Sequence, residues 1–161
     1  MSDTRQIDAY VDGSFSVETG IYSFGCVFLH EDGTVRVFCG SDNDPEKAKQ
    51  RNVTGEMQGA MSAVLCAIKS GFKQIDIYYD YAGIEMWVTG AWKSKNDLTR
   101  TYAMSMKNWM SRIDIRFHKV EAHKGNKYNE LADRMAKRGG ETLGIPEMKL
   151  IGEMEIWTPE K

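Results

Sequence analysis

The chain has 161 residues, of which 42% are hydrophobic and 27% charged, and its formal net charge is −2. That length and composition suit one ordinary soluble domain with a real core, and no apolar run reaches the roughly 18 residues that a membrane helix needs. The near-neutral charge excludes a strongly basic, nonspecific nucleic-acid binder, while leaving room for a local basic surface beside an acidic metal site.

The first six residues, Met-Ser-Asp-Thr-Arg-Gln, contain no apolar signal core, so a cytoplasmic location is expected. Ile7, Ala9 and Val11 then alternate with Asp8, Tyr10 and Asp12, the period of a strand with one face toward a core. Gly13 and Ser14 end the alternation and leave Asp12 at the strand's carboxyl end, where open α/β sheets carry their chemistry. Residues 21–29 form a second strand, and Glu31-Asp32-Gly33 turns the chain into a third over 35–38, which completes an antiparallel meander. The polar stretch 41–52 reads as a solvated connection. Its Asp42-Asn43-Asp44 is no calcium loop, because Pro45 and a missing glycine break that pattern.

From Val53 the apolar period becomes helical: Val53, Met57, Met61, Val64, Leu65 and Ile68, stopped by Gly71. Glu56 falls in the first turn of this helix, just off the apolar stripe. A fourth strand covers 73–79 and delivers Asp80 to its carboxyl end. A helix starting near Ile84 is expected to carry Trp87 and Trp92, another spans 98–111, and a fifth strand spans 113–120. The last helix runs from 126 to 137, ended by Gly139-Gly140. Residues 1–145 thus make one α/β domain, and the apolar residues of 146–161 suggest a tail docked on it. Cys26, Cys39 and Cys66 are odd in number and lack Cys-x-x-Cys spacing, so reduced thiols are expected rather than a zinc site or disulfide frame.

Four carboxylates stand out: Asp12 and Asp80 at strand ends, Glu56 in a helix start and Asp133 in the last helix. Gathered together they would repel and require cations, and hard oxygen ligands favour Mg²⁺ or Mn²⁺ over zinc. Sequence pattern alone leaves open whether they converge.

Tyr10-Val11-Asp12-Gly13-Ser14, Arg51-Asn52-Val53-Thr54-Gly55-Glu56, Ile77-Tyr78-Tyr79-Asp80 and His123-x-Gly125-x-x-x-Asn129-Glu130-x-Ala132-Asp133 resemble the signatures of type 1 ribonuclease H, in that family's order. The resemblance implies a ribonuclease H-like α/β fold: a five-stranded mixed sheet, order 3-2-1-4-5, with helices on both faces. It implies two-metal hydrolysis of the RNA strand of an RNA/DNA hybrid, with Mg²⁺ or Mn²⁺ on Asp12, Glu56, Asp80 and Asp133 and products ending in 5′-phosphate and 3′-hydroxyl. His123 is implied as an aid to proton handling or release, and Asn52 as a contact to RNA 2′-hydroxyls. Gly13, Ser14, Asn129 and Trp87 are the remaining implied substrate contacts.

Two departures stand beside the resemblance. Tyr81 follows Asp80 where many members have serine, and the Lys- and Trp-rich handle of some members is reduced to Lys93-Ser94-Lys95-Asn96. Hybrid affinity then has to come from the domain's own surface, a protein partner or a region outside this chain. The expected state is a monomer without membrane contact. The alternatives are a hybrid-binding module that does not cleave and another nuclease of the wider superfamily.

Overall fold

Strand β1 (Gln6–Phe15) is the axis of the sheet, flanked by β2 (Tyr22–Leu29) on one side and β4 (Gln74–Tyr79) on the other. The computed structural model describes residues 5–121 and 125–141, together with the backbone of 155–157. The order across the sheet is β5-β4-β1-β2-β3-β6, with β3 at Val35–Asp42, β5 at Asp114–Lys119 and β6 at Glu155–Trp157. The β1–β2 and β2–β3 pairs are antiparallel, while β1–β4 and β4–β5 are parallel. The expected order 3-2-1-4-5 is therefore the observed one. The three-residue β6 adds to it, pairing antiparallel with β3 from Val35↔Trp157 to Val37↔Glu155.

Alternation along β1 sends its residues to two cores. Ile7, Ala9 and Val11 pack with Met57, Ala60 and Val64 of α1 (Asn52–Lys69), and with Ile84 of α2 (Gly83–Thr89) and Tyr102 and Met106 of α3 (Asp97–Trp109). Tyr10 faces the opposite way and joins Val27, Val35 and Val37 beneath Leu131, Ala132 and Met135 of α4 (Lys127–Glu141). Each fully buried aliphatic or aromatic side chain here contributes about 1.5–3 kcal/mol relative to exposure. The helices lie on both faces, as expected.

Several local expectations give way to tertiary packing. Gly139 and Gly140 do not end the last helix; they lie inside α4, which continues to Glu141. A Cβ at Gly139 would sit 3.0 Å from the Gly40 carbonyl oxygen, so the glycine serves close helix–sheet contact. Trp92 lies outside α2, because Gly90 (φ 89°) closes that helix and returns its N–H to the Met86 carbonyl at 3.1 Å. Strand β3 runs four residues past Phe38, drawn on by pairing of Gly40, Ser41 and Asp42 with Phe24, Ser23 and Tyr22. A short 3-10 turn, Lys47–Gln50, then leads into α1. Met110 caps α3 and is 40% exposed. Cys26, Cys39 and Cys66 are not joined in a disulfide. Among the described residues no helix is long and apolar enough to cross a membrane.

Candidate metal centre and its neighbouring cleft

The registered pairing of β1 with β4 stops at Tyr10↔Tyr78, two residues before Asp12 and Asp80. Beyond that point the parallel strands part, and both aspartates stand in the resulting crevice at their carboxyl ends. Two glycines bring the helices in. A Cβ at Gly13 would overlap the Asn52 carbonyl and the Glu56 amide of α1, and one at Gly25, opposite Asp12, would overlap Ala132 and Ala136 of α4. Both helices can therefore sit directly on the strands, which puts Glu56 and Asp133 next to Asp12.

One carboxylate oxygen each from Asp12, Glu56 and Asp80 lies within 4.8 Å of the other two. Glu56 is the fifth residue of α1, beyond its first turn, and is buried instead of serving as an exposed charge at the helix start. Its Oε2 accepts from the backbone N–H groups of Asp80 at 3.3 Å and Tyr81 at 3.4 Å. Asp12 accepts from the N–H of Gly13 at 2.9 Å. Asp133 stands at the rim: its side chain is hydrogen-bonded to Asp12, and it accepts from the Lys137 ammonium at 3.2 Å.

The electrostatics fit a cation. Burial, reinforced by the nearby Asp80 charge, pushes the Asp12 carboxyl up to about 8. Burial likewise raises Glu56 well above the ordinary carboxylate range, with Asp80 and Asp12 adding to the effect. Crowded carboxylates that hold their protons this firmly release them to a divalent ion, and an all-oxygen donor set suits Mg²⁺ or Mn²⁺.

The other expected site residues are spread around this centre. Asn52 is exposed at the start of α1. Gly13 is packed against α1, and Ser14 is paired with Ser23 near the end of β1. Asn129 is buried in the first turn of α4, where its Nδ2 meets no acceptor among the described residues. His123 lies outside the described residues. His118 is held by Asp76 at 2.7 Å, a structural contact away from the carboxylates.

Next to Asp80 opens a cleft of about 520 Å³ lined by Tyr81, Trp87, Trp92, Lys93, Lys95 and Asn96. Trp87 is half-buried and packs partly on the core. Trp92 and Tyr81 were not singled out as site residues from sequence. The usable signal was Tyr81, Trp87 and Trp92 following Asp80 at short spacing with two lysines behind them, hidden by the expectation that Trp92 belonged to the helix.

The RNase H family model matches residues 4–141 of the chain. Ribonuclease H of Rhizobium johnstonii is 31% identical over 150 residues, which span 85% of this chain and 93% of that protein. Among solved structures, RNase H1 from the halophilic archaeon Halobacterium salinarum superposes with a TM-score of 0.67 at 24% identity, over 83% of this chain and 96% of the other. LC11-RNase H1, solved in complex with an RNA/DNA hybrid, gives 0.65 at 16% identity, over 82% and 97% respectively. At these identities the solved structures speak for the fold.

Proposed function

Since the chain belongs to the ribonuclease H family, we propose that it hydrolyses the RNA strand of RNA/DNA hybrids and leaves 5′-phosphate and 3′-hydroxyl ends. The observation that carries this reading is the trio of Asp12, Glu56 and Asp80, gathered around the buried Glu56 with ligand atoms mutually within 4.8 Å. The substrate is supported by the likeness to an RNase H1 solved with an RNA/DNA hybrid.

Two Mg²⁺ ions, or Mn²⁺ in their place, held by Asp12, Glu56, Asp80 and Asp133 would supply the charge that activates water and stabilises the leaving 3′ oxygen. The chain's own groups do the rest. The amides of Asp80 and Tyr81 fix the Glu56 carboxylate, so the ligands are oriented before substrate arrives. Asn52, exposed at the helix start, offers its amide to an RNA 2′-hydroxyl, the group that separates RNA from DNA. Gly13 and Ser14 border the path of the strand being cut, and Asn129 supports the α4 side of the site. Trp87 and Trp92, with exposed Lys93 and Lys95, receive the DNA strand through ring contacts and charge. His123 takes up or delivers a proton, and His123→Ala should slow turnover by about 10²–10⁴-fold, the usual size of such help.

A panel of labelled RNA/DNA, RNA/RNA, DNA/DNA and single-stranded RNA, with and without Mg²⁺, tests the reading. Cutting confined to the RNA of the hybrid and dependent on Mg²⁺ is the expected result. Binding without cutting would make the chain a hybrid-binding module, and cutting of DNA would place it with other nucleases of this fold.

A further inference from the structure

Tyr81 belongs to both the carboxylate centre and the aromatic cleft. Its backbone N–H reaches Glu56 Oε2 at 3.4 Å. Its ring centroid lies 5.8 Å from Trp87 and 6.0 Å from Trp92, and the two tryptophans are 5.8 Å apart. The three rings close a triangle of tilted and edge-on contacts, the geometry that aromatic pairs favour. Gly83 leaves room for it, since a Cβ there would come within 2.6 Å of the Tyr81 ring and 2.7 Å of Trp87.

The side of the triangle that needs support is Trp92. It follows the left-handed Gly90 and precedes α3, in a stretch with no helix or strand of its own, and is 41% exposed. Its backbone N–H is tied to the Met86 carbonyl at 3.0 Å, and the contacts with Tyr81 and Trp87 set the orientation of its exposed ring. Tyr81 lies directly after β4, with its amide on Glu56 and its side chain half-buried against the core. A half-buried ring packed edge-on against a more exposed one is a brace.

We propose that Tyr81 is a positioning residue, whose ring holds Trp87 and Trp92 as a preformed platform for the DNA strand and so replaces part of the grip that a longer basic insertion would supply. This rests on the hybrid-cleaving reading above. Because the Tyr81 amide survives any side-chain change other than proline, loss of the ring weakens substrate binding more than the chemical step.

The test measures binding of a labelled hybrid by anisotropy in the Asp12→Asn background, and KM and kcat with Mg²⁺ in the otherwise unaltered chain. Tyr81→Ser should raise Kd and KM by about tenfold, the size of one to two lost aromatic contacts, with a smaller change in kcat. Tyr81→Phe should restore both constants. In a cycle with Trp92→Ala, adding Tyr81→Ser should cost less than it does alone, since the brace then has less to hold. Should Tyr81→Ser fail to fold, Tyr81→Leu keeps the bulk without the ring and is read in the same way. Unchanged Kd and KM in a folded variant would overturn the proposal, as would a fall in kcat at constant KM or full additivity with Trp92→Ala. If the Asp12→Asn chain itself binds no hybrid, the substrate reading and the proposal fall together. If it binds and the Tyr81 variants bind equally well, only the proposal falls.

Discussion

Asp12 sets the pH behaviour of the metal-free chain. Its folded carboxyl is pushed from 3.8 to about 8, so the folded state holds this proton more tightly than the unfolded one. For an acid raised in this way the stability contribution is full below the unfolded value and is lost as pH climbs from about 4 toward 8. With chelator present, Tm should therefore be lower at pH 8 than at pH 5, and Glu56, raised in the same direction, adds to the slope. Mg²⁺ binds the ionised site in the folded state only and should restore more Tm at pH 8 than at pH 5. Asp12→Asn removes one charge while keeping volume, so its metal-free Tm at pH 8 should equal or exceed that of the unaltered chain. Thermal unfolding at the two pH values with and without Mg²⁺ decides it. A metal-free Tm that rises steadily to pH 8 in the unaltered chain, with no difference from Asp12→Asn, would show that the carboxylates do not repel as described.

The elements bring the carboxylates together through two points of close contact, Gly13 under α1 and Gly25 under α4. Gly25→Ala should force α4 off the sheet, at a cost of about 1–3 kcal/mol or more. It should also lower cleavage, because Asp133 rides on that helix. Denaturant unfolding paired with a rate measurement tests this, and a stable, fully active Gly25→Ala would contradict it. These contacts also show where sequence reading stops. Alternation at Ile7, Ala9 and Val11 and helical spacing at Met57, Met61 and Val64 report burial against a neighbour, so strand and helix types and their order were legible. The ends were not. Gly139-Gly140 reads as a stop because glycine has poor helix propensity, yet close packing of Gly139 on β3 and of Gly140 on Ser23 of β2 keeps both residues helical. The extension of β3 and the exit of Trp92 from α2 were likewise decided by partners far along the chain. Asp12, Asp80 and Asp133 stood out by position and by resemblance. The depth of Glu56 did not, because one glutamate near a helix start looks like a favourable surface charge.

At the scale of the whole molecule, charge and shape point to modest electrostatic grip. The net charge is −2, and the exposed lysines near the crevice include Lys93, Lys95 and Lys127. Each neutralised phosphate contributes close to 0.9 to the slope of log affinity against log salt, so the isolated chain should show a shallow slope of about −2 to −4. A salt series on the Asp12→Asn chain in Ca²⁺ measures it. A slope steeper than about −6 would mean a larger basic surface, with residues 142–154 and 158–161 as the first place to look. The central claim is that the crevice between β1 and β4 is a metal-dependent hydrolytic centre for RNA paired with DNA. Its most direct test is the single-turnover rate of cutting an end-labelled RNA strand in a hybrid, followed across a Mg²⁺ titration for the unaltered chain and for Asp12→Asn. The expected rate rises from zero and saturates with Mg²⁺ in the unaltered chain, with no measurable cutting by a folded Asp12→Asn at any Mg²⁺ concentration. Equal rates in the two chains, or cutting that persists in chelator, would contradict it.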